Sequence, residues 1–162
     1  MAGHSLSELR DGTRVISEPM PSVRSVSLGI WVGVGARDER PSQAGVSHLL
    51  EHMLFKGTAR YSAQEIAELF DGLGGELNAA TGREYTVLHA RVLDDHLNAA
   101  LDAMTDMIYL PTFVELDAER EVVLEEIAMV EDMPQDSIHD LLSEAIFSEH
   151  PLGRPVIGTA SV

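Results

Sequence analysis

The 162-residue sequence has no cysteine, few aromatic residues and only 11 basic residues against 27 acidic ones. The absence of cysteine excludes disulfide bonds, thiol nucleophiles and thiolate metal sites. The net charge of −16 opposes binding to the phosphates of nucleic acids and to anionic membranes. We therefore expect neither nucleic acid nor a membrane as a partner.

Long apolar segments are also absent. The N-terminal sequence MAGHSLSELRDG lacks the apolar core of a signal peptide. The longest apolar run, around residues 28–36, is far shorter than the roughly 20 residues that span a bilayer. These features predict a cytoplasmic protein, or a protein of the mitochondrial matrix if the source is eukaryotic. The length predicts a single domain, residues 1–162, which buries about 70% of its unfolded surface.

Hydrophobic periodicity predicts an α+β fold with a mostly antiparallel sheet and helices packed on one face. The predicted strands are residues 13–18, 23–36, 76–81 and 84–93. The first two are expected to form a hairpin near the N-terminus. Helices are predicted from Gly45 with a stop at Gly57, from Ser62 to between Gly72 and Gly75, and from Asp94 or Asp95 to Pro111. Two more are predicted at residues 115–132 and 136–147. The last helix is expected to point its aliphatic residues inward: Ile138, Leu141, Leu142, Ala145 and Ile146.

The helix predicted just before Gly57 carries a cluster of polar side chains. His48 and His52 are one turn apart, and Glu51 lies beside them on the same side. Two neutral imidazoles on one helix face suit zinc, which takes three protein ligands and one water in catalytic sites. A neighbouring carboxylate can accept a proton from the water. The order H-x-x-E-H is the inverted zincin signature, and it predicts His48 and His52 as ligands and Glu51 as the base.

A third zinc ligand is expected from the acidic helix at residues 115–132. Its buried face is predicted to contain Leu116, Val123, Ile127 and Val130. On a helical wheel, Glu126 lies about 80° from Leu116 and Glu119 about 60° from it, on the same flank. A carboxylate turned partly toward a core needs a charged partner or a metal, so Glu126 is predicted as the ligand and Glu119 as its support. The alternative is an ordinary acidic helix whose glutamates are all solvated.

Several motifs make the sequence resemble the pitrilysin-like inverzincin zinc metallopeptidases. This family includes insulin-degrading enzymes, the β subunit of the mitochondrial processing peptidase and bacterial relatives. The resemblance rests on HLLEH and on the spacing of Glu119, Arg120, Val123 and Glu126. Further matching phrases are WVGVGARDE, HMLFKGT, GGELNAATGREYT and HPLGRPVIGT.

The resemblance implies an endopeptidase for short or unfolded polypeptides with one Zn²⁺ per chain. It implies that His48, His52 and Glu126 bind the metal, that Glu51 is the general base and that Glu119 is a carboxylate behind the ligands. It also implies that Asn78 and Ala79 lie on an edge strand that receives the substrate backbone.

Family members are usually longer, so the resemblance implies an N-terminal module that is incomplete at its C-terminal end. A second homologous half or a partner subunit is then expected, and independent activity of the 162 residues is in question. Two other functions stay open. One is a noncatalytic scaffold subunit of the same fold, and the other is a structural or storage zinc site. The second is less consistent with the sequence, because structural sites fill four positions and only three ligands are found.

Overall fold

The computed structural model describes residues 3–161, which form five strands and five α-helices. The strands are β1 (Ser5–Glu8), β2 (Arg14–Ser17), β3 (Ser25–Val32), β4 (Glu76–Thr81) and β5 (Thr86–Leu93). The α-helices are α1 (Val46–Leu54), α2 (Ala63–Gly72), α3 (Leu97–Tyr109), α4 (Leu116–Asp132) and α5 (Pro134–Phe147). No α-helix among these residues is both long enough and apolar enough to cross a membrane.

The main sheet has three antiparallel strands in the order β3-β5-β4. β4 and β5 form a hairpin, in which the N–H of Gly82 donates to the carbonyl of Tyr85 at 2.7 Å. β3 lies on the other side of β5, with Ser25 opposite Leu93 and Val32 opposite Thr86. Within residues 3–161, β4 is therefore an edge strand, as the family resemblance implied for Asn78 and Ala79.

The hydrophobic core lies between one face of this sheet and the helices. From Leu88 onward, every second residue of β5 points to that face and is buried there. α3 adds two methionines that are completely buried, Met104 and Met107. Helix α2 closes the core, and its first turn is fixed by a capping box between Ser62 and Glu65. The core residues are Ile66, Phe70, Ala79, Leu88, Ala90, Val92, Ala100, Ala103, Met104 and Met107. The predicted α+β fold with helices on one face is confirmed.

The predicted N-terminal hairpin is wrong in its pairing. β2 pairs with β1 in a separate two-stranded sheet, and β3 pairs with β5. The turn between β1 and β2 contains Asp11 and Gly12, where Gly12 has φ +88° and the Asp11 carboxylate accepts the N–H of Thr13 at 3.0 Å. Asp-Gly is a strong hairpin signal, and this turn joins closer neighbours than the proline-containing segment after β2 does.

The orientation predicted for α5 is also wrong. Ile138, Leu141, Leu142 and Ile146 are each more than half exposed, at 57%, 62%, 56% and 64%. Periodicity correctly predicts that these residues share a face, but it cannot predict whether another element covers that face. Within residues 3–161 nothing does.

Candidate metal centre

The first turn of α1 is held by a carboxylate from the preceding loop. Glu39 accepts the backbone N–H of Gly45 at 2.8 Å and that of Ser47 at 2.7 Å. A negative charge at this end also complements the helix dipole. Gly45 has φ +94°, and a Cβ there would lie 2.6 Å from the carbonyl oxygen of Ile157, so only glycine suits this position. These contacts fix the start of the helix that carries the histidines.

The two histidines of α1 lie side by side. The ring centroids of His48 and His52 are 4.6 Å apart, with an angle of 64° between the ring planes. Both side chains are mostly buried, with 13% and 21% of their surface exposed. Glu51 is half-buried on the same part of the helix. The spacing on α1 therefore brings the two imidazoles and the carboxylate together, as the sequence predicted.

Helix α4 packs against α1 and brings Glu126 to both rings. Oε2 of Glu126 lies 3.8 Å from Nε2 of His48 and 3.4 Å from Nε2 of His52. One ligand atom from each of the three residues can be chosen so that all lie within 4.8 Å of one another. Val123 and Ile127 of α4 are buried, while Glu121 and Glu125 are exposed, so the predicted rotation of this helix is correct in its central turns. Leu116, which was predicted to be buried, is exposed at the start of the helix.

The spacing of these three residues suits zinc. A tetrahedral Zn²⁺ with bonds of about 2.0–2.1 Å separates its ligand atoms by about 3.4 Å. The distances from Glu126 to the two rings, 3.4 and 3.8 Å, are close to that value. Two imidazole nitrogens and one carboxylate oxygen are also the donor set of a catalytic zinc site with an open fourth position. The residues present therefore fit this metal.

Glu119 holds His52 from behind. Its Oε1 lies 2.9 Å from Nδ1 of His52, and its Oε2 accepts a hydrogen bond from Nζ of Lys56 at 2.6 Å. Only 8% of the Glu119 side chain is exposed. With its Nδ1–H donated to Glu119, His52 is held in the tautomer whose Nε2 is free for a metal. Nδ1 of His48 is buried without a hydrogen-bond partner in residues 3–161, so Glu119 orients only one of the two rings.

The surroundings of His48 and Glu119 shift the pKa of each group. Burial lowers the pKa of His48, the charge of Glu126 acts in the opposite direction, and His52 lowers the pKa further. The net effect favours the neutral imidazole. Burial of Glu119 acts to raise its pKa, but hydrogen bonds from Lys56 and His52 outweigh burial and lower the pKa below the ordinary value. Glu119 therefore stays ionised behind His52.

The side chain of Glu51 contacts the edge strand β4. The hydroxyl of Thr81 donates to Oε2 of Glu51 at 2.5 Å. Asn78 and Ala79 lie on the same strand, with Asn78 exposed and Ala79 buried, and the Asn78 side-chain oxygen accepts the N–H of Ala79 at 2.9 Å. The structure therefore brings the candidate ligands His48, His52 and Glu126, the carboxylate of Glu51 and the strand β4 close to one another.

Three residues of the site were not predicted from the sequence. Glu39 binds the start of the helix that carries the histidines, Lys56 contacts Glu119, and Thr81 contacts Glu51. Lys56 is four residues after His52 and just beyond the end of α1, and this spacing could have indicated that it lies near the histidine. The contacts of Glu39 and Thr81 depend on tertiary packing, and no local pattern indicates them.

Fold and site together define an α+β module with an H-x-x-E-H helix and a carboxylate from a later helix. Residues 14–160 match the family described as insulinase, peptidase family M16. The chain belongs to this family, and the resemblance to pitrilysin-like inverzincins is confirmed.

Relatives at high sequence identity are named as zinc proteases. The chain is 53% identical over 152 residues to an uncharacterized zinc protease of Bacillus subtilis, covering 93% of this chain and 37% of the relative. It is 50% identical over 153 residues to an uncharacterized zinc protease of Streptomyces coelicolor, covering 93% of this chain and 33% of the relative. The chain thus spans about a third of the length of these relatives.

Solved structures share the fold. A protease from Helicobacter pylori aligns with a TM-score of 0.92 at 24% identity, over 99% of this chain and 39% of that one. A Pseudomonas fluorescens structure described as a peptidase M16 inactive domain aligns with a TM-score of 0.88 at 21% identity, over 98% of this chain and 39% of that one. At these identities the likeness concerns the fold alone.

Proposed function

We propose that this chain provides the zinc-binding and proton-transfer part of a metalloendopeptidase that hydrolyses short or unfolded polypeptides. One observation carries the proposal: His48, His52 and Glu126 offer three ligand atoms within 4.8 Å of one another. Glu51 lies between the two histidines in sequence and is not needed as a ligand. This division of ligands and base is the one that metal-assisted hydrolysis requires.

Zinc, when bound, would lower the pKa of its water and polarise the scissile carbonyl. Glu51 would accept the proton of the attacking water and deliver it to the leaving amine. Glu119 would keep His52 oriented, since its carboxylate accepts the Nδ1–H at 2.9 Å and is itself held by Lys56. No covalent bond between the chain and the substrate is required.

The edge strand β4 supports a polypeptide substrate. An extended peptide can add to the free edge of a sheet through main-chain hydrogen bonds, and side-chain pockets then select the sequence. We propose that Asn78 and Ala79 take part in this contact, because β4 has only β5 as a neighbour in residues 3–161. A folded protein rarely offers an extended free segment, so short or unfolded chains are the expected substrates.

Partners and location belong to the same proposal. Because the chain spans about a third of its relatives, we propose that a second homologous half or a partner subunit completes the substrate site. The net charge of −16 argues against nucleic acid and anionic membranes as partners. A cytoplasmic location remains our proposal.

The test compares Glu51→Gln with the parent protein, expressed from the complete coding sequence. We expect Glu51→Gln to lose at least about 1,000-fold in kcat toward an unstructured fluorogenic peptide, because no group then accepts the proton. The variant should still bind about one zinc per chain, measured by elemental analysis, because Glu51 is not a ligand.

Glu125→Gln is the matched control, since Glu125 is exposed on α4. It should change neither zinc content nor cleavage. An unaltered cleavage rate in Glu51→Gln would show that Glu51 is not the base. A parent protein that binds zinc and cleaves no peptide would favour the noncatalytic scaffold.

A further inference from the structure

We propose that Thr81 is a positioning residue that connects the bound substrate strand to the general base. The inference rests on the proposed function. It begins with the hydrogen bond in which the Thr81 hydroxyl donates to Oε2 of Glu51 at 2.5 Å. The same hydroxyl lies 3.5 Å from the carbonyl oxygen of Ser47, beyond the usual range for an O–H donor. The Thr81 hydroxyl therefore donates its single hydrogen bond to Glu51.

The main chain of Thr81 faces the free edge of β4. Gly82 and Tyr85 form a hydrogen-bonded pair, with the Gly82 N–H donating to Tyr85. Such pairs alternate with non-hydrogen-bonded pairs in an antiparallel ladder, so Thr81 and Thr86 form a non-hydrogen-bonded pair. The N–H and C=O of Thr81 then point away from β5, where an added strand would meet them.

An independent contact supports this register. Two residues earlier on the strand, Ala79 should also direct its N–H away from β5. That N–H donates to the side chain of Asn78 at 2.9 Å, and not to the ladder. Thr81 therefore combines two roles in one residue: its backbone is available to substrate and its side chain holds the base.

The hydroxyl of Thr81 fixes the orientation of the Glu51 carboxylate. Within residues 3–161 the side chain of Glu51 has no other hydrogen bond. With Oε2 held by Thr81, Oε1 is the oxygen left to accept a proton from water. Without the hydroxyl, the half-buried carboxylate can rotate, and a displacement of about 1 Å in a catalytic group can cost about 100-fold in rate. Thr81 should therefore affect the rate of the chemical step more than the affinity for substrate.

Two substitutions separate the hydroxyl from the shape of the side chain. Thr81→Val keeps the branched shape and removes the donor, whereas Thr81→Ser keeps the donor and removes a methyl group. Thr86→Val is the matched control, because Thr86 is the cross-strand neighbour and its hydroxyl donates to the carbonyl of Val34 at 3.1 Å, away from Glu51. All variants are made in the complete protein, and kcat, KM and zinc content are measured.

We expect Thr81→Val to lower kcat by about 10- to 100-fold, with KM within about threefold of the parent value and zinc content unchanged. Thr81→Ser should retain kcat within about threefold, and Thr86→Val should behave as the parent does. The inference is wrong if Thr81→Val keeps the parent kcat. It is also wrong if Thr81→Ser loses as much activity as Thr81→Val, or if Thr81→Val loses zinc, because Thr81 would then act through packing.

Two further measurements use the Glu51→Gln background, and the first of them, peptide binding, does not depend on turnover. In the Glu51→Gln background, Thr81→Val should leave the dissociation constant of an uncleaved peptide within about twofold and should not lower the residual rate further, because the two residues act as one unit. A further loss of similar size in this background would contradict the inference. The outcomes also differ from those of the proposed function, which fails when Glu51→Gln itself cleaves normally.

Discussion

Helices α4 and α5 follow one another in the chain but differ in what they bury: α4 buries Glu119, Val123 and Ile127, whereas α5 buries no residue. α4 buries the carboxylate of Glu119, of which 8% is exposed. α5 leaves its aliphatic face open, with Leu141 62% exposed and Ile146 64% exposed. A charged group is therefore inside and a hydrophobic stripe is outside. Burial here follows the partners that the chain provides, more than the polarity of the side chain.

The partners explain the difference. α4 packs on α1, and α1 leads directly to Lys56, so the carboxylate of Glu119 meets both an ammonium group and an imidazole. A buried charge is tolerated when it is paired and fully hydrogen-bonded. α5 is held on its polar side, where the guanidinium of Arg83 donates to Oδ1 of Asp140 at 3.2 Å and to Oγ of Ser143 at 3.0 Å.

The largest effect on zinc affinity is expected from a substitution of Glu126 on α4. Glu126→Gln should weaken zinc binding by more than about 100-fold, because a neutral amide oxygen replaces the only carboxylate among the three candidate ligands. The affinity is measured by competition with a chromogenic chelator. Glu125→Gln, on the exposed side of the same helix, should leave the affinity unchanged within about twofold.

A smaller effect on zinc affinity is expected from a substitution of Glu119, which contacts the candidate ligand His52. Glu119→Gln should weaken zinc binding by about 10- to 100-fold, because His52 loses a charged acceptor at Nδ1 while both rings and Glu126 remain. The same competition assay measures it. If Glu119→Gln weakened binding as much as Glu126→Gln, Glu119 would itself be a ligand. If it had no effect, the contact between Glu119 and His52 would not orient the ring.

Local geometry was sufficient to predict most of the cluster. The spacing of His48 and His52 is a property of one helix turn, and the rotation of α4 indicated which glutamates turn partly toward the core. The exposure of Glu125 and the burial of Glu119 agree with that rotation. Thr81 could not be predicted, because its contact with Glu51 joins residues 30 positions apart through packing of β4 on α1.

Strand pairing was predicted less well for a related reason. The alternation in β3 correctly indicated a strand, but alternation does not specify its neighbour. The turn at Asp11 and Gly12 is a local signal and explains why β2 pairs with β1. The pairing of β3 with β5 depends on contacts across most of the chain, and a single sequence carries no local pattern for them.

The smallest effect is expected on α5. Leu141→Ala in the 162-residue chain should change the free energy of unfolding by less than about 0.5 kcal/mol, because most of the side chain is already in water. Met104→Ala is the comparison variant, since Met104 is completely buried in α3. It should cost about 2–5 kcal/mol. Both values come from denaturant unfolding followed by circular dichroism.

The same two variants, measured in the complete protein, test whether another part of that protein covers α5. If another part of that protein covers α5, Leu141→Ala there should cost about 2 kcal/mol or more, whereas Met104→Ala should cost about as much as before. Equal small effects of Leu141→Ala in both contexts would mean that the stripe stays in water. A large effect in the 162-residue chain alone would contradict the exposed position of α5, because a residue in water has no packing to lose.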